Sequence, residues 1–333
     1  MDYKLKFLFF ILIISSCTRA EPSRAEFVLG TVCSVTLFDQ GDSSVYQEVF
    51  SRIREIDNLM SVNIAASDVS SVNAASGIKP VTVHDDVFDV IERAVFFARI
   101  SGGAFDPAVG PLVSLWGIGG ENPRVPSQAE INMVLPLVNW RAIETDRITR
   151  GVFLEQSGMA LDLGAIAKGY AADEAAAIIK NAGIKRAIVD LGGNIVLCGE
   201  KKDKSPWRVG IQNPNEKRGS YIGIVQVKER SVVTSGVYER FFENDGVRYH
   251  HIFSPSGGYP VENELLSVTI IAHNSMDADA LSTAAFVLGY EKGAALIDSF
   301  QDAEAVFVFK DMTVRKTAGA DFTLTDKSFR LMP

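Results

Sequence analysis

The sharpest chemistry in the sequence lies in Ser275-Met276-Asp277-Ala278-Asp279-Ala280-Leu281-Ser282-Thr283. Asp279 and Thr283 stand four residues apart, so a helix brings both to one face. A carboxylate and a hydroxyl, with no nitrogen or sulfur beside them, form a hard oxygen site that suits Mg2+ over Zn2+. The same acids have an ordinary reading, in which Asp277 is an N-cap and both acids complement the helix dipole. A second segment, Leu161-Asp162-Leu163-Gly164-Ala165-Ile166-Ala167-Lys168-Gly169-Tyr170, runs from apolar residues through a small-residue loop into a helix start. Free main-chain N–H groups and Lys168 at a helix N-terminus make an anion site. The spacing matches neither a P-loop nor a dinucleotide fingerprint, and a tight turn with an exposed lysine fits it equally well. A third is Tyr249-His250-His251-Ile252-Phe253-Ser254-Pro255, which holds two of the four histidines. Neighbours on a strand point apart, which argues against a metal pair and predicts one ring toward a cleft and one toward solvent. His251 is the candidate for proton handling or phosphate contact, with a surface pair as the alternative.

Two further stretches are rich in small residues. In Gly102-Gly103-Ala104-Phe105-Asp106-Pro107 the paired glycines allow close approach of a ligand to the backbone, and Phe105 offers a flat face. A helix C-cap followed by a turn accounts for the same residues. Asp190-Leu191-Gly192-Gly193-Asn194 puts an acid before two glycines at a strand end, as a binding loop or a hairpin turn would.

These segments need a scaffold. Residues 26–38 alternate and are β-branched, which predicts a strand interrupted at Gly30-Thr31. Val45, Val49, Ile53, Ile56 and Met60 recur at helical spacing. A second helix is expected over 85–101, with Val87, Ile91, Val95 and Ala98 inward, and a third over 170–181, ending at Gly183. Strands are expected at 187–191, 207–211, 222–227, 231–234 and 267–272, and a helix at 277–288. With no stretch resembling an interdomain linker from residue 26 to 333, the expected architecture is one α+β body with room for two lobes.

The 333 residues are 47% hydrophobic and 22% charged, with a net charge of −8, which excludes a disordered chain and a multi-span membrane protein. The acidic balance argues against a nucleic-acid partner. Three cysteines are too few for a disulfide scaffold. The N-terminus has Lys4 and Lys6 before the apolar Phe7-Leu8-Phe9-Phe10-Ile11-Leu12-Ile13-Ile14. That run is far short of the roughly 20 residues a membrane span requires, and reads as a secretory signal. Ile14-Ser15-Ser16-Cys17 resembles a bacterial lipobox. The expectation is a signal peptide over 1–16, lipidated Cys17, a tether over 17–25 and a catalytic domain over 26–333. Such a protein is held by acyl chains on the periplasmic side of a bacterial membrane, the inner one favoured.

Taken in order, these motifs, with Thr234-Ser235-Gly236-Val237-Tyr238-Glu239-Arg240 between them, resemble the ApbE family of FAD:protein FMN transferases, from about Leu29 to Ala285. The resemblance implies an α+β body with mixed or antiparallel sheets, the flavin in a cleft and no separate Rossmann unit. It implies binding of FAD with Mg2+, transfer of FMN to a Thr or Ser hydroxyl of a partner protein, and release of AMP. By resemblance the acceptors are redox subunits of quinone-reductase or Rnf-type complexes. The metal ligands it implies are the Ala165 carbonyl, Asp279 and Thr283. Flavin contacts would come from Leu29, Ala104, Phe105, Asp106, Asp162, Lys168 and the backbone near Phe253. His251 and an acidic group, Asp279 among them, are the candidates for proton transfer. The alternative is a flavin-binding periplasmic lipoprotein without chemistry.

One position departs from the family pattern. Asn63 stands where an aromatic, often Tyr, is usual. An aromatic there stacks on the dinucleotide, worth roughly 0.5–1.5 kcal/mol beyond burial. Asn63 therefore predicts looser retention of FAD and hydrolysis to FMN and AMP alongside or in place of protein transfer.

Overall fold

The computed structural model describes residues 23–39 and 43–333; Cys17, the signal 1–16 and most of the tether 17–25 lie outside them. The predicted interrupted strand is a hairpin of β1 (Ser23–Val28) and β2 (Thr31–Leu37), so Ser23-Arg24-Ala25 belong to a strand rather than to the tether. Leu29 and Gly30 join the strands at φ 54° and 66°. Two consecutive positive-φ residues match the right-handed twist of the flanking strands. For Leu29 that conformation costs about 1–2 kcal/mol.

The chain continues through α1 (Ser43–Met60), α2 (Asp68–Ala74), β3 (Val81–Thr82) and α3 (Asp85–Ile100). Val45, Val49, Ile53, Ile56 and Met60 are buried as their spacing predicts, and of the α3 set Val95 alone stays partly exposed. Then come α4 (Gly110–Trp116), α5 (Gln128–Val134), β4 (Ile143–Asp146), β5 (Gly151–Leu154) and α6 (Ala167–Asn181). A run of strands follows: β6 (Ala187–Leu191), β7 (Asn194–Cys198), β8 (Trp207–Gln212), β9 (Tyr221–Val227), β10 (Ser231–Gly236), β11 (Phe241–Asn244), β12 (Val247–His250) and β13 (Leu265–Ala272). The last elements are α7 (Ser275–Leu288), α8 (Tyr290–Asp298), β14 (Glu304–Phe309), β15 (Thr313–Lys316), β16 (Phe322–Leu324) and β17 (Arg330–Leu331).

Nine strands form one sheet in the order β1-β2-β6-β7-β10-β13-β14-β15-β17, antiparallel except for the β15–β17 pair. Its inner strands β13 and β14 are buried on both faces, whereas the edge strands β1 and β17 are exposed. Val233, Val268, Ile270 and Phe307 join the larger core, which also takes in α1, α6 and α7, whereas Val232, Ile271, Val306 and Val308 face a second core under the small β16-β9-β8 sheet. Burial on two faces is why β13 and β14 read as continuous apolar runs rather than as alternations. A third cluster gathers around Trp116, with Leu112, Ile131 and Phe253. The architecture is α+β, with no parallel βαβ unit of the Rossmann kind among the described residues.

Candidate functional site

The site is built where α6 meets α7. A Cβ on Gly169 would stand 2.3 Å from the Ser275 carbonyl oxygen and 2.6 Å from Met276 Cα, so only glycine lets the helices approach this closely. At that contact Asp279 Oδ2, buried, accepts from Gly169 N at 3.0 Å, and Oδ1 lies 3.7 Å from Lys168 Nζ. Thr283, one turn further along α7, has its Oγ1 3.2 Å from Ser235 Oγ, which also meets Ser282 Oγ at 2.7 Å. Asp279 and Thr283 therefore share a face, as their spacing predicts. Asp277 does not cap α7: Asn274 does, accepting from Asp277 N at 3.0 Å, while the Asp277 carboxylate pairs with Arg93 at 2.6 Å. The helix begins two residues earlier than expected, which moves the cap upstream.

α6 likewise starts at Ala167, so Lys168 lies in its first turn instead of the loop before it. The expected cradle of free N–H groups is largely used internally. Ile166 N and Ala167 N both bond Leu163 O, and Gly169 N bonds Asp279. Lys168 Nζ donates to Gly164 O at 3.0 Å, and a lysine ammonium has further protons to offer. Ala165 lies in the turn between Gly164 and Ile166. Asp162 Oδ1 accepts from Gly164 N at 2.8 Å and shapes the same turn. Asn73 clamps the approach, accepting from Leu161 N at 2.7 Å and donating to Leu161 O at 3.0 Å.

The two histidines divide between core and site. His250 is buried edge-on against Phe286, its Nε2 3.0 Å from Val261 O, and burial lowers its pKa. His251, half-buried just beyond β12, has Nδ1 3.1 Å from Arg240 O. A carbonyl only accepts, so Nδ1 carries the proton and Nε2 presents a lone pair. Desolvation first, then the Arg240 guanidinium, pushes this imidazole far down, to about 3, and His250 and Lys168 add to the shift. It is neutral at pH 7. The Arg240 side chain reaches the β1–β2 turn, its Nη2 3.5 Å from where a Gly30 Cβ would stand. Leu29 N donates to Asp57 of α1 at 3.3 Å, which ties that turn to the same region.

The remaining predicted residues lie in other turns and in the core. Phe105 offers no face to a ligand: it is 3% exposed and packs edge-on to Phe97 in the core. Asp106 is buried, accepts from Ala108 N at 2.8 Å and Trp140 N at 3.1 Å, and burial raises its pKa to about 6. Ala104 lies in the turn these bonds hold. Asp190-Leu191-Gly192-Gly193 is the β6–β7 hairpin turn, Asp190 Oδ1 accepting from Gly193 N at 3.0 Å. Phe253 is buried beside Trp116, where only its backbone is available. Asn63 is exposed in the turn between α1 and α2. Sequence reasoning missed Asp173, Asn73 and Trp140. A signal for Asp173 was present: it stands four residues after Gly169, one face of α6, in an alanine-rich segment with little else to explain an acid.

Among the described residues no three His, Cys, Asp or Glu side chains converge as a metal cluster. The Asp279 carboxylate and the Thr283 hydroxyl on one face of α7 offer oxygen alone, a donor set that fits Mg2+ and does not fit Zn2+. The ApbE family model matches residues 29–307. This chain belongs to the ApbE family. It is 42% identical over 316 residues to the FAD:protein FMN transferase of Treponema pallidum, covering 90% of this chain and 87% of that one. The crystal structure of the ApbE protein from Thermotoga maritima superposes with a TM-score of 0.81 at 33% identity, over 92% of this chain and 97% of the other. The flavin transferase ApbE from Vibrio cholerae gives 0.79 at 29% identity, over 93% and 98%. In this ApbE chain, then, the motifs quoted from the sequence lie on the α6–α7 junction, the turns around it and the segment carrying His251.

Proposed function

We propose that this chain transfers the FMN half of FAD to a Thr or Ser hydroxyl of an acceptor protein, releasing AMP, and also hydrolyses FAD to FMN and AMP. The observation that supports it most is the meeting of Asp279 with Gly169 N and Lys168 at the α6–α7 junction, with Thr283 one turn along the same face of α7. Asp279, Thr283 and the Ala165 carbonyl would hold Mg2+, which when bound would supply positive charge to the phosphates. Lys168 binds phosphate oxygens with the protons left free by Gly164. The acceptor oxygen bonds to the FMN phosphorus as the P–O bond to AMP breaks, and AMP leaves with the electron pair. The hydroxyl proton passes to His251 Nε2. In the free protein burial first, then Arg240, His250 and Lys168, suppress the basicity of His251; an anionic substrate beside the two cations offsets their part of that effect.

The acceptor class is the redox subunit of a quinone-reductase or Rnf-type complex. The proposal includes a lipid anchor at Cys17 on the periplasmic side of the inner membrane, supported by the charge, length and small residues of positions 1–17. Asn63, exposed and without an aromatic face, favours water as a competing acceptor. Incubation with FAD and Mg2+, with and without a Thr-bearing acceptor, should yield AMP in both cases and mass-labelled acceptor in the second. Asn63→Tyr should suppress free FMN release by about three- to tenfold, the worth of one stacking contact. Unchanged release in that variant removes the hydrolytic part, and absence of AMP in every arm removes the enzyme.

A further inference from the structure

The contact between α6 and α7 has a second half. Asp173 of α6 is partly buried, and its two oxygens accept from Ser275 N at 2.8 Å and Met276 N at 2.9 Å, the first two residues of α7. Asp279 of α7 accepts in turn from Gly169 N in the first turn of α6. Each helix lends a carboxylate to the other's N-terminus. The pair closes on the Gly169 contact, where a Cβ would already lie 2.3 Å from Ser275 O, so there is no slack between them.

Asp173 does more than cap a helix. Asn274 already caps α7 through Asp277 N. A neutral residue would serve for an extra cap, whereas a partly buried carboxylate without an ion pair among the described residues is costly to keep. Its particular virtue is geometric: two equivalent acceptors grip two successive N–H groups, which stops both sliding and rotation of α7. That helix is buried nearly all round, so it moves as a rod. Asp279 follows Ser275 by one turn and Thr283 by two, and any displacement at the grip reaches both oxygens undiminished.

We propose that Asp173 is a positioning residue for the metal, setting where the Asp279 and Thr283 oxygens stand relative to the Lys168 turn. The proposal rests on the reading that those two residues hold Mg2+. Asp173→Asn keeps the size and one acceptor, but turns an NH2 group toward one of the two N–H donors. Mn2+ titrated into the FAD-loaded full chain, read by loss of the free-ion electron paramagnetic resonance signal, measures the site without turnover. In Asp173→Asn the half-saturating Mn2+ concentration should rise about 10- to 100-fold, the usual effect of losing a residue that orients a metal ligand. FAD binding without metal should stay within about twofold, since the uniform contacts to the flavin are untouched. Val306→Ala in the second core, chosen to lose comparable thermal stability, should keep the wild-type saturation point. If Asp173→Asn loses stability yet saturates like wild type, the residue is merely structural and the proposal is overturned. Should the Asn variant not fold, Asp173→Glu, with both acceptors on a longer stem, must show the weakened saturation; wild-type saturation overturns the proposal equally. Asp279→Ala separates the two ideas: if it still saturates with Mn2+ like wild type, the metal reading itself fails and Asp173 falls with it.

Discussion

Replacing Gly169 with Ala tests the closeness of α6 and α7 directly. The new methyl would lie 2.3 Å from Ser275 O, 2.6 Å from Met276 Cα and 2.7 Å from Ser275 C. All three are main-chain atoms that no rotamer change can move. Ordinary contact needs about 3.4 Å or more, so the helices must part by roughly 1 Å. Overpacking of this kind costs about 1–3 kcal/mol. The same movement stretches the 3.0 Å bond from Gly169 N to Asp279 beyond hydrogen-bonding distance. Losing a bond to a charged acceptor costs about 1.5–3 kcal/mol. Better helix propensity returns about 1 kcal/mol. The net expectation is a loss of about 1.5–5 kcal/mol, or roughly 2–8 °C in Tm for a chain of this length. Activity should fall by more than stability explains, since a 1 Å misplacement of reacting groups costs on the order of 100-fold. Urea unfolding and AMP release at a temperature where the variant is fully folded provide the two readings. A Gly169→Ala protein within about 0.5 kcal/mol of wild type, or one with wild-type turnover, would refute the close-contact argument, because surface-like tolerance there is incompatible with those distances.

Two other expectations concern protons. Asp106 has a folded pKa near 6 against an ordinary 3.8, so the folded state holds a proton that the unfolded chain has released. Its contribution is present below pH 4 and is lost as pH rises through 6, by roughly 3 kcal/mol in all. The difference in stability between wild type and Asp106→Asn, from urea midpoints at pH 4, 5, 6 and 7, should fall across that window; a constant difference contradicts it. His251 has the opposite displacement, to about 3. Its Cε1–H resonance in the free protein should not titrate between pH 5 and 8, whereas a midpoint near the ordinary value of about 6.5 would show an imidazole open to protonation.

Much of the scaffold was legible because its signals are local. The 45–60 stripe became α1 since its apolar side chains repeat at the helical period, and 187–191 became β6 with the same ends. Boundaries slipped where a neighbour in space decided them. α7 begins at Ser275 because Asn274 and Asp173 hold its first N–H groups, and α6 begins at Ala167 because Leu163 O receives the turn before it. Apolar runs in β13 and β14 did not reveal that the sheet is covered on both faces, since pattern alone does not say what lies beyond each face.

By itself, the sequence determined the donor chemistry of the site. Asp279 and Thr283 at helical spacing offer only oxygen donors, and no folding could turn those atoms into nitrogen or sulfur. Only the tertiary structure decided which polar groups are spent on the fold and which remain for a ligand. Gly169 and Asp279 are 110 residues apart, and Asp173 and Ser275 are 102 apart. Contacts at that separation depend on how whole helices pack, so no local pattern announces them. The packing committed Phe105 to the core, His250 to Val261, and most of the α6 N-terminus to internal bonds. It left Lys168, Thr283 and the Nε2 edge of His251 with capacity to spare, because burial leaves a polar group free for a ligand only where the fold has not already satisfied it.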